Sequence, residues 1–152
     1  MAAPSAWAVY NLFKNALGNK VVSLNGVDTI KMALFTSSSN AANSALTHSG
    51  GTAPMYSDLT NEVSNANGYT TGGVACAATW TDSAGTETLG AANATWNATG
   101  SGIVAEIAVL YDSTTGNLIA WCYLDSTPAS VTVAAGNTIV VQISGSGVFT
   151  LT

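Results

Sequence analysis

Charge is what this chain has least of. Three basic and eight acidic residues stand among 152, which is 7% charged against about 25% in an ordinary soluble domain. Arginine is absent, and the basic residues are Lys14, Lys20 and Lys31. Phosphate neutralisation needs clustered cations, so a net charge of −5 with three lysines in the first 31 residues argues against nucleic acid and anionic membrane as partners. Surface scaling predicts roughly 7,000 Å² exposed when folded and roughly 22,000 Å² unfolded, leaving about one charge per 650 Å². A free monomer usually keeps itself dispersed with far more charge. Two substitutes are open to it: a surface of Ser, Thr, Asn and Gly, and burial against neighbours.

Other absences narrow the reading. No stretch has the length and continuity of a transmembrane helix. Met1-Ala2-Ala3-Pro4-Ser5-Ala6-Trp7 lacks the basic and apolar regions of a secretory signal, so the expectation is a protein that starts near Met1 and stays in a cytoplasm until assembly. The one histidine, His48, lies in the low-complexity run Thr47-His48-Ser49-Gly50-Gly51, and no Gly-x-Ser-x-Gly elbow nominates a serine. His48 therefore reads as an exposed loop residue rather than a general base, and the chain as no enzyme. No cofactor or metal is expected. Asp58 and Glu62 could share one side of a short helix, but no calcium loop surrounds them, so solvated acids are the default. Only two cysteines occur, Cys76 and Cys122, in different hydrophobic segments. Buried free thiols are favoured over a disulfide in a reducing compartment, and spacing alone leaves the pairing open.

What is present points to one all-β domain over residues 1–152, an antiparallel β-sandwich of jelly-roll or immunoglobulin-like type with a short N-terminal helix. The helix is predicted over residues 5–17, where Trp7, Tyr10, Phe13, Ala16 and Leu17 recur at three- and four-residue spacing, Ser5 can cap the start and Gly18 closes the end. Its stripe of Trp7, Tyr10 and Phe13 has more aromatic surface than so short a helix needs, which makes these three the candidate interface residues. Strands at 21–24 and 29–35 flank Asn25-Gly26, a hairpin signal. Residues 36–68 form a long polar stretch, predicted to hold a short element at 55–63 and otherwise to lie extended over a surface.

The second half reads as a string of short strands: 73–81, 87–89, 94–98, 103–111, 118–124, 130–134, 138–144 and 148–152. Gly- and Asn-rich turns separate them. The nearly continuous apolar run 103–111 suits a central strand covered on both faces. Glu106 interrupts it, and is expected where water, a lysine or another subunit can reach its carboxylate. Gly100-Ser101-Gly102 loosely matches a dinucleotide fingerprint but leads into a β-branched run, so it is a turn. The sequons at Asn93 and Asn97 read as alternation on a strand. Trp80, Trp96 and Trp121 are assigned to the core and Trp7 to an interface, with a sugar-binding platform as the rival reading.

Five segments together carry a pattern. Lys31-Met32-Ala33-Leu34-Phe35-Thr36-Ser37, Asp58-Leu59-Thr60-Asn61-Glu62-Val63, Asn67-Gly68-Tyr69-Thr70-Thr71-Gly72-Gly73-Val74, Ala108-Val109-Leu110-Tyr111-Asp112 and Gly147-Val148-Phe149-Thr150-Leu151 resemble a family of small structural proteins of tailed bacteriophages, from Trp7 to the C-terminus. The resemblance implies a virion component assembled in the host cytoplasm. Its partners would be the major capsid protein or other virion proteins, and copies of itself. A head decoration (cement) protein is the first expectation, a tail, collar or fibre component the second, and a carbohydrate-binding module the third. The resemblance brings no catalytic or ligand residues.

Overall fold

In a computed structural model that describes residues 4–152, the chain is mostly antiparallel β-structure with one short helix, a sandwich-like all-β fold. Its centre is a five-stranded sheet. In spatial order the strands are β1 (Ala8–Val9), β9 (Leu118–Tyr123), β8 (Ile107–Asp112), β2 (Ile30–Phe35) and β3 (Val74–Ala75). Every residue of β8 is buried, as a strand covered on both faces must be. Two two-stranded sheets pair β10 (Val131–Val133) with β7 (Ile103–Ala105) and β11 (Thr138–Val141) with β6 (Ala94–Asn97). A three-stranded sheet has the order β12 (Phe149–Leu151), β5 (Thr86–Ala91), β4 (Ala78–Ser83).

Register assigns the faces of the central sheet. Phe35 opposes Ile107, Lys31 opposes Tyr111 and Val109 opposes Trp121, so these side chains share one face. The long polar stretch covers that face. Tyr56 stacks on Tyr111 at 4.4 Å between ring centroids and meets Phe35 edge-on, while Trp121 donates its indole N–H to Ser44 Oγ at 3.0 Å. The opposite face, with Met32, Leu34, Leu110 and Ala120, belongs to the same continuous core as Leu89, Trp96 and Ile139 of the smaller sheets.

Strands from residue 73 onward fall near where the alternation predicts, with two divisions: the predicted strand 73–81 breaks after Ala75 into β3 and β4, which belong to different sheets. The run 103–111 breaks at Glu106 into β7 and β8, which join different sheets. Glu106 is half-buried at that corner, where Ser130 Oγ donates to its carboxylate at 3.1 Å. In β6, Trp96 points inward and Thr95 and Asn97 outward. The long stretch contains a 3-10 turn at Tyr56–Asp58 within the predicted 55–63 element. Residues Asn61 to Val63 bridge the free edge of β2 through Thr36 N–H to Asn61 O and Val63 N–H to Leu34 O.

Two expectations for the N-terminal part are corrected. The only α-helix among the described residues, α1, is Phe13–Gly18 rather than residues 5–17. Trp7 and its neighbours are extended instead: Ala8 and Val9 pair with Trp121 and Ala120, and Ser5 N–H donates to Tyr123 O at 3.0 Å. Edge strand β9 needs backbone partners on that side, and a helix there would leave its N–H and C=O groups bare. The β-favouring Trp, Val and Tyr supply the partner. The Asn25-Gly26 hairpin is also absent. Residues 21–29 form irregular turns, with Gly26 at φ +87° and Ser23 N–H donating to the Asp28 carboxylate, and only the second predicted strand forms, as β2.

Candidate functional site

The helix and the three-stranded sheet do not close on each other. Between them runs a groove of about 910 Å³. One wall comes from α1 and residues 20–25, contributing Leu17, Val22 and Leu24. The other is the sheet face, contributing Trp80 of β4 and Phe149 and Leu151 of β12. Phe13 joins the walls by meeting Phe149 edge-on at 5.8 Å, and Phe149 in turn lies 6.0 Å from Trp80. The groove is mostly apolar, with Ser23, Asn25 and Thr150 among its lining, and Lys14 and Lys20 stand exposed on its α1 side. These are two of the chain's three cations, and among the described residues neither has a carboxylate within 4.0 Å.

Of the three candidate interface residues, Trp7 is half-buried, while Tyr10 and Phe13 are fully buried. The extended backbone at Ala8–Val9 is the cause, because it keeps the three from forming one outward helical stripe. Tyr10 turns inward and donates its hydroxyl to Ala41 O at 2.6 Å, and Phe13 is spent on the core and the groove floor. The groove residues that matter most, Trp80, Phe149 and Leu151, are far from α1 in sequence. In the sequence Trp80 reads as a core tryptophan and Phe149 and Leu151 as part of an apolar terminal strand, with nothing local to join them.

Two polar clusters lie within the long stretch. In the first, His48 Nδ1 faces the Asp58 carboxylate at 2.8 and 3.0 Å, and Met55 N–H donates to Asp58 Oδ2 at 2.8 Å. His48 is thus a partly buried pair member rather than a free loop residue. The pair pins the 48–52 loop to the Tyr56–Asp58 turn, and no hydroxyl or thiol among the described residues bonds its ring. In the second, Glu62 accepts from the Tyr56 hydroxyl, from the Tyr69 hydroxyl at 2.5 Å and from Gly72 N–H at 2.7 Å. Tyr69 also accepts from Leu34 N–H at 3.0 Å, and Tyr111 donates to Gly72 O at 2.8 Å. Burial, reinforced by the Glu62 bond, pushes the Tyr56 and Tyr69 hydroxyls far above their ordinary range; burial and the Glu62 charge push Tyr111 to about 12. Asp58 and Glu62 therefore serve different partners and do not converge. No group of three or more His, Cys, Asp or Glu able to hold a metal ion occurs among the described residues.

The second cluster is architectural. Strand β3 begins at Val74, opposite Met32, so the edge of β2 beyond it has no strand partner, and Tyr69 fills the place at Leu34 with a side-chain oxygen. Gly73 makes the approach possible: at φ +65°, a Cβ there would lie 1.8 Å from Met32 O.

No family of known proteins, no curated protein and no solved structure matches this chain. Trp96 is buried, and Trp80 lines the groove rather than an exposed platform. Cys76 and Cys122 are buried free thiols, raised by burial to about 11 and about 12.

Proposed function

We propose that this chain is a non-enzymatic virion structural protein that works by packing against neighbours, and that it serves as a head decoration (cement) protein on the outer capsid surface. The observation that carries the packing part is the groove: an open apolar face with two unpaired lysines, on a chain that has few charges to keep such a face in water. The phage resemblance of the five segments supplies the virion. Repetition supplies the rationale, since modest contacts to the major capsid protein, made by many tethered copies, stabilise a shell without any single tight interface.

Quantitative mass spectrometry of purified particles tests the placement. Hundreds of copies per particle are expected for a head decoration. A handful to a few dozen would move the protein to the tail, collar or a fibre, and absence from particles would overturn the virion reading.

A further inference from the structure

The two sides of the groove carry charge of opposite sign, Lys14 and Lys20 on the α1 side and Asp82 and Glu87 on the face of the three-stranded sheet. Register in the three-stranded sheet is regular: Trp80 opposes Leu89 and Leu89 opposes Phe149, while two residues along, Asp82 opposes Glu87 and Glu87 opposes Leu151. With a side-chain period of two, Asp82 and Glu87 project from the same face as Trp80, Phe149 and Leu151, at the hairpin end of the sheet wall. Two carboxylates directly opposite one another on adjacent strands repel. Among the described residues neither has a cation within 4.0 Å, and Lys14 and Lys20 on the α1 wall likewise lack a carboxylate. Leu151 lies exposed on the same face.

We infer that a second copy of this chain seats on this face in a two-fold dimer, with Asp82 and Glu87 of each copy against Lys14 and Lys20 of the other and the apolar groove walls between them. An acidic peptide or an amphipathic anion in the groove would answer the lysines but leave the two carboxylates repelling. A partner must carry both signs in reversed order to answer both sides, and a two-fold rotation gives a second copy that order by symmetry. The inference rests on the assembly reading above for its purpose. Its test uses the isolated protein, so dimerisation and particle binding can fail separately.

Sedimentation of the full chain, at up to about 100 µM, where a micromolar contact is saturated, should give twice the 15.3 kDa chain mass. Raising salt from about 0.05 to about 0.5 M should weaken the dimer. The charge reversals K14E/K20E and D82K/E87K alter a half-buried Glu87 and three exposed residues, and each should weaken self-association at least about tenfold with circular dichroism unchanged. Mixed in equal amounts, the two variants should restore a dimer, because every contact in the mixed pair is again between opposite signs. The fourfold variant carrying both reversals should dimerise with itself, which keeps the test decisive if one double variant fails to fold. A wild-type chain that stays monomeric, double variants that dimerise as well as wild type, or a mixture that remains monomeric would each overturn the inference. A monomer that takes up dodecanoate or an acidic peptide in the groove would overturn the choice of occupant.

Discussion

Removing the Glu62 carboxylate should cost this protein a large part of its stability, although the residue lies outside the main hydrophobic cluster. Three donors converge on it: two tyrosine hydroxyls and the Gly72 N–H. Hydrogen bonds to a charged group contribute about 1.5–3 kcal/mol each, and a buried donor left unpaired costs about 1–3 kcal/mol. Glu62 is only half-buried, so water can replace part of what is lost. Glu62→Ala should therefore cost about 3 kcal/mol, against about 5–15 kcal/mol for a whole domain. Glu62→Gln should cost about 1–2 kcal/mol, since its amide oxygen keeps two of the three donors and the loss is mainly of charge. Urea unfolding followed by tryptophan fluorescence reads this directly. With a slope of about 2 kcal/mol per M, the midpoint should fall by about 1.5 M for Glu62→Ala and by about half that for Glu62→Gln, at unchanged slope. Combined with Tyr69→Phe, which removes both the donor to Glu62 and the acceptor for Leu34 N–H, the effects should be non-additive by about 1 kcal/mol. A midpoint within about 0.3 M of wild type for Glu62→Ala would refute the claim that this carboxylate holds the long stretch to the edge of β2.

Three further outcomes are expected. Tyr10, Tyr56, Tyr69 and Tyr111 keep their protons when folded well beyond the ordinary value of 10.0, chiefly through burial. The folded state then holds more protons than the unfolded one above that value, so stability is full below about pH 10 and falls as pH rises, by at most about 5 kcal/mol per unit for four such groups; urea midpoints that stay constant from pH 9 to pH 11 would contradict this. The β4–β5 hairpin turns through Ala84 and Gly85 with φ of +52° and +81°, so Ala84→Asn, which tolerates that conformation, should raise stability by about 0.5–1 kcal/mol by the same urea assay, and a loss would argue against this turn. Cys76 and Cys122 should resist a thiol reagent at pH 8 in the native protein and both react in urea; prompt reaction of either in the folded state would show that it is not buried.

The β-rich second half was legible because its signals are local. Apolar runs such as 118–124 and 138–144 are opened by Gly-Asn turns at 116–117 and 136–137, and alternation in β6 sends Trp96 inward without reference to any distant residue. Residues 5–17 misled for the complementary reason. Spacing of Trp7, Tyr10 and Phe13 suits a helix locally, but the free edge of β9, more than a hundred residues away, offers backbone hydrogen bonds that a strand alone can accept. Glu62 shows the same limit. Its partners Tyr56, Tyr69 and Gly72 are close in sequence, but what orders them is the edge of β2 and the ring of Tyr111.

The sequence by itself determined the all-β class, the low charge with its weakness for water, and the place of both cysteines in apolar segments; that they stay unpaired came from the structure. Each of those three follows from composition or from a period of two that any strand obeys. Only the tertiary structure decided which apolar side chains remain uncovered and which charges share their face. The groove joins Phe13, Trp80 and Phe149 from three separate elements, and the placement of Asp82 and Glu87 on its face depends on strand register. Register is set by long-range pairing, and a slip of one residue would turn both carboxylates to the other side of the sheet.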